Sequence, residues 1–119
     1  MSESKLDHPH IIALFERARK RYGEQHQMQK CAEECCELST AILRFTNGCD
    51  GHTVTQCFDN VLEEAADATI MVEQLFRIFH DAVDSQDRTI TDIILEKLAR
   101  LEQRLDEADR EGHAEARTS

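Results

Sequence analysis

The chain has 119 residues and a formal net charge of −10, from 24 acidic and 14 basic residues, with four glycines, one proline and no tryptophan. That length suits one domain with a modest core, for which assembly with further copies is expected. The acidic balance speaks against a nucleic-acid footprint, which needs a basic face, and against attraction to an anionic membrane surface.

So few helix breakers point to an all-α chain of four helices, the middle two long. The first helix is expected from about His8 to Tyr22: Pro9 suits the first turn and Gly23 the stop, with Ile12, Phe15 and Ala18 marking the spacing. The second is expected from about Gln27 to Thr46, ended by Asn47-Gly48, with Cys31, Cys35, Leu38, Ile42 and Phe45 as a buried seam at 4-3-4-3 spacing. Asn47 to His52 reads as a loop. The third helix starts near Thr53 or Thr55 and runs to about Val83, with Phe58, Leu62, Ala65, Thr69, Val72, Phe76 and Phe79 as its seam. Ser85-Gln86-Asp87 reads as a turn. Thr89 or Thr91 caps the fourth helix, Asp92 suits the dipole in its first turn, and Ile90, Ile94, Leu98, Leu101 and Leu105 form its stripe. The domain is expected over 1–110, with 111–119 as a frayed tail.

No apolar run approaches the ~18 residues of a membrane span, and the polar start MSESKLDHPH lacks the apolar region of a secretory signal. The five cysteines, Cys31, Cys35, Cys36, Cys49 and Cys57, are an odd count and read as reduced thiols of a cytoplasmic protein. They lack the paired C-x₂-C spacing of a structural zinc site.

Two acidic clusters carry the chemistry. Glu33-Glu34-Cys35-Cys36-Glu37 and Glu63-Glu64-Ala65-Ala66-Asp67 each set carboxylates three residues apart, on one helix face. Glu34 and Glu37 stand one residue before the seam positions Cys35 and Leu38, and so are expected to flank the buried stripe. Glu64 and Asp67 border the other seam, where Ala65, Ala66 and Ala68 allow close helix approach. Lys30 and Asn60 lie one turn earlier on the same faces. Carboxylates brought together repel unless neutralised, and the usual neutraliser for an all-oxygen cluster is Mg²⁺ or Mn²⁺. A di-iron bundle would need E-x-x-H, and no glutamate here is followed three residues later by histidine.

The pattern Lys30-x-x-Glu33-Glu34-x-x-Glu37-Leu38 followed by Glu63-Glu64-x-x-Asp67 resembles the MazG-like family of all-α nucleoside triphosphate pyrophosphohydrolases, and Ala66-Asp67-Ala68-Thr69-Ile70-Met71 is similar to the family's A-D-x-x-I-M stretch. The likeness extends from about Gln27 to Leu105. It implies a four-helix bundle-like fold with two antiparallel central helices, a nucleotide substrate, and hydrolysis of a nucleoside triphosphate to the monophosphate and pyrophosphate, in nucleotide-pool house-cleaning. It implies metal binding by Glu34, Glu37, Glu64 and Asp67, with Glu33 at a further ion or the attacking water. Lys30, Asn60, Lys97, Arg100 and Arg104 become candidates for substrate contact, and Tyr22, Phe45 and Phe58 for the walls of a base pocket. Cys35 and Cys36 occupy the variable positions of the first motif, where small apolar side chains serve. A homodimer or homotetramer is expected. Two other readings stay open: a helical dimerisation or interaction protein with a solvated acidic surface, and a relative that binds metal or nucleotide without turnover.

Overall fold

Four helices make up the described part of the chain: α1 (Pro9–Tyr22), α2 (Glu24–Thr46), α3 (Val54–Ala82) and α4 (Ile90–Thr118). The structure, a computed structural model, describes residues 6–82 and 89–118. The fold class is all-α, as the composition implies, and no strand occurs among the described residues. The chain divides into two compact units, Met1–Ala82 and Val83–Ser119. The expected turn at Ser85-Gln86-Asp87 lies outside the described residues.

Local chemistry sets the helix ends. His8 caps α1, its Nδ1 accepting from the His10 backbone N–H at 3.1 Å, and Pro9 follows where its missing N–H costs nothing. Gly23 stops α1 at φ 90°, and α2 begins at the next residue, three positions before the expected Gln27. One glycine is therefore the whole connection. Thr53 and Gln56 close a reciprocal capping box at α3: the Thr53 N–H donates to Gln56 Oε1 at 3.0 Å, and the Gln56 N–H donates to Thr53 Oγ1 at 3.1 Å. Thr89 and Asp92 repeat the device at α4, at 3.0 and 3.1 Å. The threonines at 53 and 89, not those at 55 and 91, are the caps.

In the first unit α2 and α3 form an antiparallel hairpin. Gln27 near the start of α2 bonds to Gln74 near the end of α3, while Cys49 and Cys57 meet at the turn. Arg19 of α1 ties the three helices together, pairing with Glu24 at the start of α2 and with Asp81 at the end of α3, the latter at 2.6 Å. Arg77 of α3 reaches Asp7, just ahead of α1, at 3.0 Å. The core is Phe15, Cys31, Ala41, Cys49, Cys57, Ala68, Met71 and Ile78. Its small members, above all Ala41 and Ala68 at 2 % and 4 % exposure, let the two long helices pack closely.

The seams differ from the expected ones by a rotation of about one residue. Along α2 the inward stripe is Gln27, Cys31, Glu34, Leu38 and Ala41, while Ile42 and Phe45 are exposed. Along α3 it is Cys57, Val61, Glu64, Ala68, Met71, Leu75 and Ile78, while Phe58, Leu62, Thr69 and Phe79 are exposed. Both stripes keep the 4-3 rhythm, so the period was right and the phase wrong. The phase moved because the narrow alanine and cysteine positions, not the large aromatics, face the neighbouring helix.

The second unit contains α4, whose apolar positions recur at the expected spacing from Ile90 to Leu105. Its helix continues to Thr118 where a frayed tail was expected from Glu111. The residues Glu111, Ala114, Glu115, Ala116 and Arg117 are mostly strong helix formers, so propensity sustains the backbone after the apolar stripe ends. None of the described helices is long and apolar enough to cross a membrane.

Candidate metal centre

The seam rotation turns two of the expected flanking acids inward. Glu34 is only 7 % exposed, in line with Cys31 and Leu38, and Glu64 is half-buried between Val61 and Ala68. Glu37, one turn beyond Glu34, is exposed at the mouth of the same face. One carboxylate oxygen from each of Glu34, Glu37 and Glu64 lies within 4.8 Å of the others. The sequence placed these three acids on two helices; antiparallel pairing sets them at one level.

The three carboxylates are unevenly compensated. Lys30, one turn before Glu34, sets its Nζ 3.0 Å from Glu34 Oε1 and 3.8 Å from Glu33 Oε2. That ion pair leaves Glu34 Oε2 buried without a hydrogen-bond partner, and Glu64 Oε2 is buried in the same condition. The contact with Glu34, followed by the charges of Glu34 and Glu64, holds the Glu37 carboxyl above its usual range. A buried anionic oxygen without a donor is costly. Two of them converging with a third carboxylate form a donor set suited to a hard, oxygen-seeking cation, and the residues fit one.

The remaining candidates separate by position. Asp67 is exposed, one turn beyond Glu64, and does not join the three-glutamate group in this arrangement. Glu33 is exposed beside Lys30, and Asn60 is half-buried one turn before Glu64. Lys97, Arg100 and Arg104 belong to α4 in the second unit. Phe45 and Phe58 meet as a tilted ring pair, centroids 6.3 Å apart, on the exposed side of the hairpin, and Tyr22 stacks on His26 at 5.2 Å.

The seam also holds a polar pair that apolar periodicity passes over. Gln27 Nε2 donates to Gln74 Oε1 at 2.8 Å with both side chains buried, and Gln27 Oε1 meets His26 Nδ1 at 2.9 Å. The available signal was the 4-3 rhythm of Gln27, Cys31, Glu34, Leu38 and Ala41, once polar residues are admitted to it.

No family model, curated protein or solved structure matches the chain.

Proposed function

We propose that this chain is a Mg²⁺-dependent nucleoside triphosphate pyrophosphohydrolase of the MazG-like type, with Mn²⁺ as an alternative ion, working on nucleotide pools in the cytoplasm. One observation carries the reading: Glu34, Glu37 and Glu64 converge from two helices, and Glu34 and Glu64 each bring a buried carboxylate oxygen with no hydrogen-bond partner among the described residues. The motif pair that resembles the family supplies the reaction class.

In this reading Glu34, Glu37 and Glu64 hold the cation, and Asp67 stands one turn further along α3 at the rim. A hard divalent ion there supplies neutralisation of the phosphate oxygens and acidification of water. Water adds to the α-phosphorus, the bond to the bridging oxygen breaks, and pyrophosphate leaves. Glu33, exposed and adjacent, orients the water and accepts its proton at a carboxylate oxygen. Lys30, paired with Glu34 at 3.0 Å, would be free to offer its ammonium to the phosphates if a cation took that carboxylate. Asn60 shares the carboxylate face.

The test is a panel of ribo- and deoxyribonucleoside triphosphates, canonical and modified, incubated with the protein and Mg²⁺, with monophosphate and pyrophosphate measured. Equimolar release of both from at least one nucleotide is expected. No turnover on any of them defeats the enzyme reading.

A second reading rests on a different observation. Ile42, Phe45, Phe58 and Leu62 are 39–54 % exposed along one side of the hairpin, more apolar surface than a lone helical pair normally leaves uncovered. A helical dimerisation or interaction protein would use that side and leave the acids as surface. It predicts no Mg²⁺-dependent rise in Tm, whereas a cation that binds only the folded chain must produce one. Under the enzyme reading the same side joins two copies into a dimer or tetramer.

A further inference from the structure

The turn between α2 and α3 has an unusual backbone. Gly48, Cys49, Asp50 and Gly51 take positive φ in succession, at 93°, 65°, 38° and 88°. Hydrogen bonds fix the turn: the Cys49 N–H donates to Arg44 O at 2.9 Å, and the His52 N–H donates to Cys49 O at 2.8 Å. A non-glycine residue at such φ is uncommon and costs free energy. Here the conformation carries the Cys49 side chain inward, to 3 % exposure.

Cys57, in the first turn of α3, is buried to the same 3 %, and its Sγ lies 3.7 Å from the Cys49 carbonyl oxygen. The two thiols also contact each other. Burial first, and then that contact, push the Cys57 thiol up from its ordinary value, against a smaller opposing effect of the Arg44 charge. Eight residues apart in sequence, the two cysteines meet as an enclosed thiol pair at the closed end of the hairpin.

Cys31 is buried as well, and burial and its contact with Cys35 also raise its thiol, but the spacing there does not allow a bridge. Cys31 and Cys35 are one turn apart on the same helix, where Cβ atoms stand about 5–6 Å apart, beyond the roughly 3.5–4.5 Å of a disulfide. Cys36 is exposed on the outer side of α2.

We propose that Cys49 and Cys57 form an oxidation site, closing to an intramolecular disulfide under peroxide and so stapling the α2–α3 turn. The step balances with one hydrogen peroxide. One thiol gives up its proton and the thiolate attacks the peroxide; the O–O bond breaks, a sulfenic acid forms, and the departing hydroxide takes up that proton as water. The second thiol attacks that sulfur, the S–O bond breaks, the S–S bond forms, and a second water leaves. Two sulfurs are oxidised and the peroxide is reduced to two waters. Because both sulfurs are buried and Cys57 holds its proton, the reaction follows opening of the turn and is slower than oxidation of an exposed low-pKa thiol.

The experiment needs neither metal nor nucleotide, so its outcome is separate from that of the proposed activity. The full chain is titrated with hydrogen peroxide, alkylated under denaturing conditions, digested without reductant and mapped by mass spectrometry. A Cys49–Cys57 linked peptide is expected, lost on dithiothreitol treatment, together with a rise of several degrees in Tm of the oxidised protein. The rise is expected to be absent in Cys57→Ala and in Cys49→Ala. Cys49 and Cys57 remaining alkylatable while other residues consume the peroxide, or a different cysteine pair dominating the map, overturns the proposal.

Discussion

Glu34 and Glu64 oppose each other across the α2–α3 seam, and each keeps one buried carboxylate oxygen without a hydrogen-bond partner. Among the described residues only Glu34 of the two has a neighbouring cation, Lys30 at 3.0 Å. Glu64→Gln therefore removes repulsion without breaking an ion pair. It is expected to raise the stability of the metal-free protein by about 1 kcal/mol and to abolish the Mg²⁺-dependent rise in Tm. Glu34→Gln loses the Lys30 pair as well and gains less. Thermal melts with EDTA and with Mg²⁺ check both effects; a metal-free Glu64→Gln protein less stable than wild type would remove the repulsion account.

The separation of Asp67 from the three-glutamate group gives a graded prediction for cation affinity. Replacing Glu37 or Glu64 with Gln is expected to weaken Mn²⁺ binding by at least about tenfold, roughly 1.4 kcal/mol, and Asp67→Asn by clearly less. Titration followed by electron paramagnetic resonance reads bound Mn²⁺ directly, independent of turnover. An equal or larger loss in Asp67→Asn would place Asp67 among the ligands.

The buried Gln27–Gln74 bond should behave as an all-or-none polar pair. Gln74→Leu leaves the Gln27 amide donors buried and unmatched, at an expected cost of about 1–3 kcal/mol. Gln27→Leu with Gln74→Leu removes both partners, and most of that loss should be recovered. Urea denaturation of the two single variants and the double variant measures the coupling. Additive losses would show that the bond is not the source of the cost.

Two carboxyl groups give opposite pH dependences. The hydrogen bond from Arg19, then that from His80, and after these their charges, hold Asp81 below its usual range. A depressed folded pKa adds stability above the unfolded value, and that contribution is lost as pH falls below about 4. Asp81→Asn is expected to flatten this acid limb. Glu37 is held above its usual range, so its contribution is present in acid and lost as pH rises through the folded value. Metal-free Glu37→Gln should therefore lose less stability than wild type as pH rises above about 4.5. Denaturation midpoints across pH, with EDTA present, separate the two limbs.

The exposed side of the hairpin predicts association. Phe58, half exposed and in ring contact with Phe45, lies on that side, away from the glutamates. Phe58→Asp is expected to shift the chain toward monomer in sedimentation velocity while leaving Mn²⁺ affinity unchanged. A wild-type chain that is monomeric at all accessible concentrations removes the docking role of this side.

The acidic motifs were legible because E-x-x-E spacing on a helix is a local property, and their meeting needed only that α2 and α3 pair antiparallel. Which oxygens are buried was not legible. On α2, two neighbouring stripes satisfy the 4-3 rhythm: Cys31, Cys35, Leu38, Ile42 and Phe45, or Gln27, Cys31, Glu34, Leu38 and Ala41. Hydrophobicity favours the first, and the second is the one that packs. The place of Asp67 outside the group was not legible either: it is the exposed i+3 neighbour of Glu64 just as Glu37 is of Glu34, and only Glu37 meets the other two carboxylates.

By itself the sequence determined the four helices and several of their ends, at Pro9, Gly23 and Asn47-Gly48, because capping and helix propensity act within a few residues; the start of α2, the choice of threonine cap and the extent of α4 it did not. It also determined that two acidic faces exist. Tertiary structure alone decided the phase of each long helix. Burial depends on the helix opposite, and close approach at Ala41, Ala68, Cys49 and Cys57 outweighs the larger apolar area of Ile42, Phe45, Phe58 and Leu62. That choice places Glu34 and Glu64 in the seam, turns Cys49 toward Cys57, and leaves an apolar side uncovered.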